Sequence, residues 1–410
     1  MKTKRIPPVW ILSLPWLTFG MVVGFAIVTL PQMLAAQHVP GGRIATAVAL
    51  LLSPVFWNFL FAPLLDVRFR RRTYALLFAV LAVCVTGWVV IDHASLLEVE
   101  GLMMLGIFCD CMFQSALGGW VGSLIDKEQD SRLGAWSTIF NVGGNGIGIL
   151  ISGYADRLSP GLAAAVLVVT FLAPLLVFPM IPSQPPGKLL VSENFGRFGR
   201  EIALLLKRPE VLVTLSLFAF PAASFALTNA LGGWSGDFGM PPFLVSMVSG
   251  AGLILGSTLG CLIVPLMARR VPLRPLYLAT GFVGAGFALA LLVLPRVPAT
   301  FGLAFMGENF FQAAAIATAS AITFEVIGPG NPLAATTFAL LFAASNLPID
   351  YMEVIDARGY DWRGISGALI TDALISGTAC VLLALLLRRS LLPAAPIAAP
   401  SASEAQSALE

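Results

Sequence analysis

The sequence contains twelve apolar runs, each about as long as a helix that crosses a lipid bilayer. A bilayer core of about 30 Å needs about 20 apolar residues in one helix. The runs cover approximately 10–36, 43–66, 73–92, 97–124, 134–155, 161–181, 210–235, 241–267, 275–295, 298–325, 333–352 and 364–387. Only 11% of the 410 residues are charged, which is too few for the surface of a soluble protein. The sequence therefore predicts an all-α integral membrane protein and excludes a soluble enzyme, a secreted disulfide scaffold and a disordered chain.

The positive charges indicate how the chain is oriented in the membrane. If the N-terminus is cytoplasmic, 19 of the 24 Lys and Arg residues fall in cytoplasmic segments and 5 fall outside. Such an excess is typical of cytoplasmic loops, so we expect both termini in the cytoplasm and the first run to be a retained anchor. The net charge of only +2 provides no basic surface for nucleic acid.

The two halves of the chain repeat each other. Asp110-x-x-Phe-Gln-Ser-Ala matches Glu308-x-x-Phe-Gln-Ala-Ala, Gly24-Phe-Ala-Ile matches Ser224-Phe-Ala-Leu, and Ala62-Pro-Leu-Leu matches Val264-Pro-Leu-Met, at offsets of 198, 200 and 202. After six spans the chain is back on the side where it started, so both halves cross the membrane in the same orientation. This parallel repeat resembles the arrangement of the major facilitator superfamily. We expect six-helix bundles over 1–181 and 209–389, a cytoplasmic linker with an amphipathic helix over 182–208, and a disordered tail over 390–410.

Three acidic residues, Asp110, Glu308 and Asp372, lie in the middle of apolar runs. Each costs roughly 2.5–3.5 kcal/mol at the bilayer centre, and the runs contain no Lys or Arg that neutralises them. They must therefore be protonated, face a water-filled cavity, or both, and we predict that they carry protons. The alternative is that they are neutral hydrogen-bond donors between helices. The equivalent positions of Asp110 and Glu308 favour proton coupling for these two.

Amide and hydroxyl side chains near these acids are candidate substrate contacts. Gln114 and Gln312 each follow an acid by one helical turn and share its face. The full set of candidates is Gln114, Asn309, Gln312, Thr29, Thr228, Asn229, Asn141 and Asn145. For Thr29, Thr228 and Asn229 the alternative is a cap or a polar contact at a bent helix. The lack of fixed positive charge in the runs favours a neutral, zwitterionic or amphipathic small molecule over a strongly anionic one.

Asp66 closes the second run, and Arg70, Arg71 and Arg72 follow it. We expect this group to gate the cytoplasmic side, since a carboxylate can meet the positive N-terminal end of a helix in the other half. The alternative is that the arginines only anchor the loop inside the cell.

Two further motifs predict no cofactor or metal. Cys109 and Cys111 are one residue apart, so they point to different sides of a helix and are poorly placed for a metal. The glycine-rich runs 143–148 and 250–256 mimic a nucleotide-binding fingerprint, but no strand precedes them. We interpret these runs as close helix packing through small residues. Nothing in the sequence predicts an enzyme.

Three stretches resemble the AmpG-type muropeptide permeases of the peptide/acetyl-CoA transporter branch of the major facilitator superfamily. They are 59–66 with Arg70–Arg72, 307–309 and 335–341. The resemblance implies proton-driven uptake of anhydro-sugar peptides across a bacterial inner membrane. The sequence departs from the family at Gln114, where a second acid is typical.

These observations together predict a secondary transporter. We expect proton-coupled uptake of a small polar or amphipathic solute by alternating access, in a chain that acts as a monomer. An uncoupled facilitator or exporter is the first alternative. A non-transporting membrane receptor or scaffold is the second, although a scaffold has little reason to keep buried acids.

Overall fold

A computed structural model describes residues 6–39, 47–48, 50–66, 69–92, 95–155, 158–182, 207–329, 331 and 333–388. Most of the expected linker, 183–206, and the expected tail, 390–410, lie outside the described residues. The linker, the tail and the limits of the two bundles therefore remain predictions.

The twelve apolar runs coincide with twelve helical segments among the described residues, which we number α1–α12. They are α1 (Val9–Ser13, Trp16–Gly24, a π-helical turn at Phe25–Thr29, and Leu30–Ala36), α2 (Leu50–Leu60 and Ala62–Asp66), α3 (Arg71–Ile91), α4 (Leu96–Gly122), α5 (Asp130–Ala155), α6 (Pro160–Leu172 and Ala173–Met180), α7 (Pro209–Ala219, Pro221–Ala223 and Leu227–Ala230), α8 (Pro242–Met267), α9 (Leu273–Leu291) and α10 (Pro298–Ile327), with α11 and α12 inside Ala334–Leu386. The break between α11 and α12 lies at Arg363 and Gly364, whose backbone angles are not helical.

The segments have the surface of a membrane protein. Seven helical stretches in the described part of the chain are long and apolar enough to cross a bilayer, and one of them contains both α11 and α12. Large apolar side chains such as Leu176, Val293 and Leu386 are exposed. In water these side chains would be a liability, whereas lipid chains cover them at no cost.

The helices that begin both halves are irregular at equivalent places. α1 contains the π-helical turn Phe25–Thr29, and α7 loses its helix between Ala219 and Leu227. Pro221 explains part of the second break because it has no N–H to donate, and Phe225 has a positive φ of 49°. The π-helical turn directly follows Gly24, and the break in α7 includes Ser224; these are the first residues of one of the repeated motifs.

Among the described residues, the two halves share a large hydrophobic core toward one end of the molecule. Trp16, Phe113 and Trp120 of the first half pack there with Phe324 and Phe338 of the second half. At the other end, each half has its own separate cluster. We call the end with the shared core the basic face, since α1 and α11 begin there and Arg70–Arg72 and Arg274 lie there. The other end is the opposite face.

Glycines let helices approach closely inside each half. A Cβ on Gly144 of α5 would lie 2.5 Å from the Leu17 backbone oxygen of α1, whereas a Cβ on Gly143 would meet nothing within 4 Å. In the second half, a Cβ on Gly256 of α8 would lie 2.4 Å from the Met306 oxygen of α10. Some glycines of each run, such as Gly144 and Gly256, therefore allow a neighbouring helix to pack closely, as the sequence predicts.

The adjacent glycines of α5 allow a matched test of this packing. We expect Gly144→Ala to destabilise the protein by about 1–3 kcal/mol because the added methyl forces α1 and α5 apart. Gly143→Ala should be neutral or slightly stabilising because alanine favours a helix. Thermal unfolding of the two purified variants in detergent measures the difference. Equal melting temperatures would contradict the close α1–α5 contact.

Candidate functional site

A cavity of about 950 Å³ lies between the two halves. Its wall is formed by α1, α2, α4 and α5 of the first half and by α7, α9, α10 and α11 of the second. Pro31 and Val48 belong to its wall near the opposite face, together with the exposed residues Val354 and Ala357. The cavity therefore opens at the opposite face and ends blindly toward the basic face.

Aromatic rings from both halves form the floor of the cavity. The rings of Trp16 and Phe324 meet edge to face with centroids 6.3 Å apart, and those of Phe19 and Phe342 do so at 6.2 Å. Phe338 stacks on Phe342 with centroids 6.2 Å apart. These contacts join α1 to α10 and α11, so separating the halves at this level requires the rings to part.

Below this floor, Asp66 binds the beginning of α11. Its carboxylate accepts hydrogen bonds from the backbone N–H groups of Ala335 (3.3 Å) and Thr336 (3.1 Å), and from the Thr336 hydroxyl (2.9 Å). The first N–H groups of a helix have no partner inside the helix, and they favour a negative charge. Asp66 thus satisfies donors that belong to the other half.

Arg71 completes this contact. Its guanidinium forms an ion pair with Asp66 at 2.8 Å and donates to the Asn331 backbone oxygen at 2.9 Å. Both side chains of the pair are largely buried, so the pair is screened less than one on the surface. Of the three arginines expected to gate this side, Arg71 bridges the halves; Arg70 is exposed and Arg72 is half-buried next to it.

Glycines of α4 allow the same close approach between halves. A Cβ on Gly119 would lie 2.5 Å from the Ala335 nitrogen, and one on Gly118 would lie 2.3 Å from the Phe338 ring. Farther out, Glu325 lies 3.6 Å from Lys127 of the first half and 3.8 Å from Arg274. Lys127 is largely exposed, so this ion pair contributes little compared with the buried Asp66 contact.

The structure places five of the eight predicted substrate contacts in the cavity wall. They are Gln114, Asn141, Asn145, Asn229 and Gln312. Asn141 and Asn145 lie one turn apart on α5, and Gln114 and Gln312 occupy equivalent positions on α4 and α10.

The other three predicted contacts, Thr29, Thr228 and Asn309, are buried and do not line the cavity. The amide of Asn309 donates to the Phe305 oxygen of its own helix at 2.8 Å. Thr228 donates to the Phe225 oxygen and accepts from Gln312 at 2.7 Å, so it stabilises the irregular turn of α7. For Thr228 the geometry therefore supports the alternative of a polar contact at a bent helix.

The three mid-run acids lie behind the cavity wall. Asp110, Glu308 and Asp372 are buried, with exposed fractions of 0%, 1% and 3%, and none of them lines the cavity. Gly106, one turn before Asp110, approaches Val85 of α3, so this face of α4 turns into its own half. In this conformation the glutamines face the cavity and the acids do not. Of the two possibilities that the sequence left open, exposure to a cavity is therefore not seen here, and the role of these acids in proton coupling stays a prediction.

The acids of the second half form a group that the sequence did not reveal. Asp356 of α11 is fully buried and lies within electrostatic range of Glu308 and Asp372. Both oxygens of Glu308 and of Asp356 lack a hydrogen-bond partner in the protein. We call Glu308, Asp356 and Asp372 the acidic trio. Asp356 was missed because the eleventh apolar run ends at 352, whereas α11 continues to the break at Arg363.

Polar residues of α11 in the wall were also missed. Asn346, Asp350 and Glu353 face the cavity, and Glu353 accepts a hydrogen bond from Asn229 at 3.4 Å. Their spacing of four and three residues places them on one helical face, which was the available signal. They lie at the end of the apolar run, where charged residues commonly mark the end of a membrane span.

No group of three or more His, Cys, Asp or Glu side chains among the described residues is arranged to hold a metal ion. All five cysteines are free thiols, and Cys111 lines the cavity.

The family model of the Major Facilitator Superfamily matches residues 12–349. The chain belongs to this superfamily. It is therefore a multi-pass membrane protein of a transporter family, and the predicted fold of twelve helices in two bundles is confirmed.

Solved structures share this fold at low sequence identity. A bacterial homologue of the iron transporter ferroportin in an outward-facing state matches with a TM-score of 0.68 and 12% identity, over 92% of this chain and 100% of that one. The human organic anion transporter MFSD10 matches with a TM-score of 0.68 and 17% identity, over the same shares. The transporter FucP in the outward conformation matches with a TM-score of 0.65 and 15% identity, over 95% of this chain and 99% of that one. A comparison with curated proteins finds no match.

Removing the charge of Asp66 should open the basic face. We expect Asp66→Asn to weaken the contacts with Arg71 and α11 by about 2–4 kcal/mol, since a buried arginine then lacks its partner. In a cysteine-free background carrying Thr323→Cys in the cavity wall, labelling by a polar maleimide from the basic face should rise at least tenfold. Glu128→Gln, an exposed acid on the same face, is the control. Unchanged labelling in Asp66→Asn would contradict the gating role of Asp66.

Proposed function

We propose that the protein is a secondary transporter that moves a small polar or amphipathic solute by alternating access and couples this movement to protons. The observation that carries the proposal is the cavity between the halves, which is open at one face and closed at the other by contacts that join the halves. Such an arrangement can expose one site to each side of a membrane in turn. A scaffold has no need for such a cavity, whose polar wall residues are supplied by both halves.

We assign the basic face to the cytoplasm because the Lys and Arg residues concentrate there. The conformation described above is then open to the outside, ready to receive a solute for uptake. The resemblance to bacterial permeases supports an inner-membrane location with both termini in the cytoplasm.

We assign proton coupling to Asp110, Glu308 and Asp372. A buried carboxylate without a basic partner is costly, so these groups are held protonated while they are enclosed. Gln114 and Gln312 lie one turn away in the cavity wall, so a modest helix rotation during the transition would bring the acids to water and release their protons. One proton that crosses a potential of about 150 mV supplies roughly 3.5 kcal/mol. This energy sustains a solute gradient of a few hundred-fold.

The more specific prediction of a muropeptide substrate has weaker support. Muropeptides carry peptide carboxylates, which an arginine or lysine in the wall would bind well. The described wall contains Asp350 and Glu353 and no basic side chain. The superfamily assignment does not depend on this substrate.

Transport in proteoliposomes tests the coupling. Solutes that raise the melting temperature in a screen of muropeptides, sugars, peptides and coenzyme A esters are used as transport substrates. We expect Asp110→Asn and Glu308→Gln to abolish accumulation driven by a pH gradient, at least tenfold below the wild-type level, because neither amide can release a proton. Solute exchange without a gradient should continue in both variants.

The exposed acid Glu98 provides the matched control, and Glu98→Gln should accumulate solute like the wild type. If Asp110→Asn and Glu308→Gln both keep full gradient-driven accumulation, these acids do not couple transport to protons. If the wild type is also insensitive to the pH gradient, the uncoupled facilitator or exporter is correct.

A further inference from the structure

The polar part of the cavity wall has a net negative charge. Asp350 and Glu353 lie three residues apart on α11, and the described residues of the wall include no Lys, Arg or His. The arginine nearest to them in sequence, Arg358, is exposed beyond the rim. Two carboxylates at this spacing repel each other on a helix. A cation bound between them would relieve that repulsion.

Each amide near these acids already donates at least one hydrogen bond within the protein. The amide of Asn229 donates to Glu353, and the amide of Gln312 donates to Thr228 at 2.7 Å. The amide of Asn346 and the hydroxyl of Ser345 both donate to the Phe342 backbone oxygen, at 2.8 and 2.9 Å. The ionised carboxylates of Asp350 and Glu353 can only accept hydrogen bonds, so this part of the wall favours a ligand that supplies donors.

The facing wall contributes a buried amide without an oxygen partner. Gln114 is 3% exposed, lines the cavity, and its oxygen has no hydrogen-bond partner in the protein. The oxygens of Asn141 and Asn145 on α5 are also unpartnered. Buried polar atoms are generally paired, so these amides are suited to a ligand that donates hydrogen bonds.

The distance from the acids to the aromatic floor sets the size of the ligand. Asp350 follows Phe342 by eight residues, which is about 12 Å along a helix. The floor itself consists of the rings of Trp16, Phe19, Phe324, Phe338 and Phe342. A ligand that reaches both regions has a charged end at Asp350 and Glu353 and an apolar or aromatic body about 10 Å long.

We infer that the cavity selects amphipathic organic ammonium ions, with the ammonium group at Asp350 and Glu353 and the apolar body on the aromatic floor. This inference rests on the proposed transport function and specifies its substrate class.

Three compounds with one skeleton test the inference: 4,4-diphenylbutylamine, 4,4-diphenylbutan-1-ol and 4,4-diphenylbutanoic acid. At pH 7 they carry an ammonium, a hydroxyl and a carboxylate on the same apolar body. Binding to the purified full-length protein is measured from the concentration dependence of the melting temperature. We expect the amine to bind at least tenfold more tightly than the alcohol, and the acid to bind most weakly.

The double variant Asp350→Asn/Glu353→Gln should weaken amine binding at least tenfold, because the ammonium group loses its charged hydrogen-bond partners. Its affinity for the alcohol should change less than about twofold, which also shows that the variant is folded. The control Asp361→Asn/Glu98→Gln makes the same two changes at exposed positions outside the cavity and should bind like the wild type. Equal amine binding by the double variant and the wild type would overturn the inference, as would binding of the acid at least as tight as that of the amine.

Transport separates this inference from the proposed function. If the acid or the alcohol is preferred and is accumulated with the pH gradient, the substrate class is wrong and the proton-coupled transporter stands. If the amine binds as expected but reconstituted protein never moves it, the substrate class stands and the transport function fails.

Discussion

The carboxylate of Asp66 accepts hydrogen bonds from the first backbone N–H groups of α11, and much of the structure depends on this contact. The donors at the start of a helix need partners, and in a protein with little charge few groups can supply them. Asp66 belongs to the first half and α11 to the second, so satisfying these donors holds the halves together. Arg71 balances the charge, and the aromatic floor and the α4 glycines pack directly above. The cavity therefore has one closed end and one open end.

The structure separates the polar side chains of the cavity wall from the acids in the middle of the apolar runs. The cavity wall contains amides and hydroxyls from both halves together with Asp350 and Glu353, whereas Asp110, Glu308 and Asp372 lie behind it. The two halves bury different numbers of these acids: the first half buries Asp110, and the second half buries the acidic trio. A trio without a basic partner tolerates little negative charge in a medium of low dielectric constant.

The sequence predicted the fold well and the site only in part. Apolar runs, the placement of arginines and the internal repeat are properties of the chain itself, and they were sufficient for the membrane class, the helix number and the superfamily. Gln114 and Gln312 were found because the repeat marks them. Glu353 and Asp356 were not, since acids near the end of an apolar run look like the end of a span. Only the structure, in which α11 continues to the break at Arg363, shows that Glu353 faces the cavity and that Asp356 is buried.

The sequence by itself determined that this chain crosses a membrane many times, that its halves are related, and that three acids lie where charge is costly. These conclusions follow from hydrophobicity and charge, which act residue by residue. The tertiary structure alone decided which side of each helix meets the cavity. That choice depends on helix rotation and on close contacts such as Gly119 with Ala335, which join residues far apart in the chain. Gln114 follows Asp110 by four residues, which turns the helix by about 400°, a net rotation of only about 40°. The packing of the helices therefore decides that Gln114 meets the cavity and that Asp110 lies behind its wall.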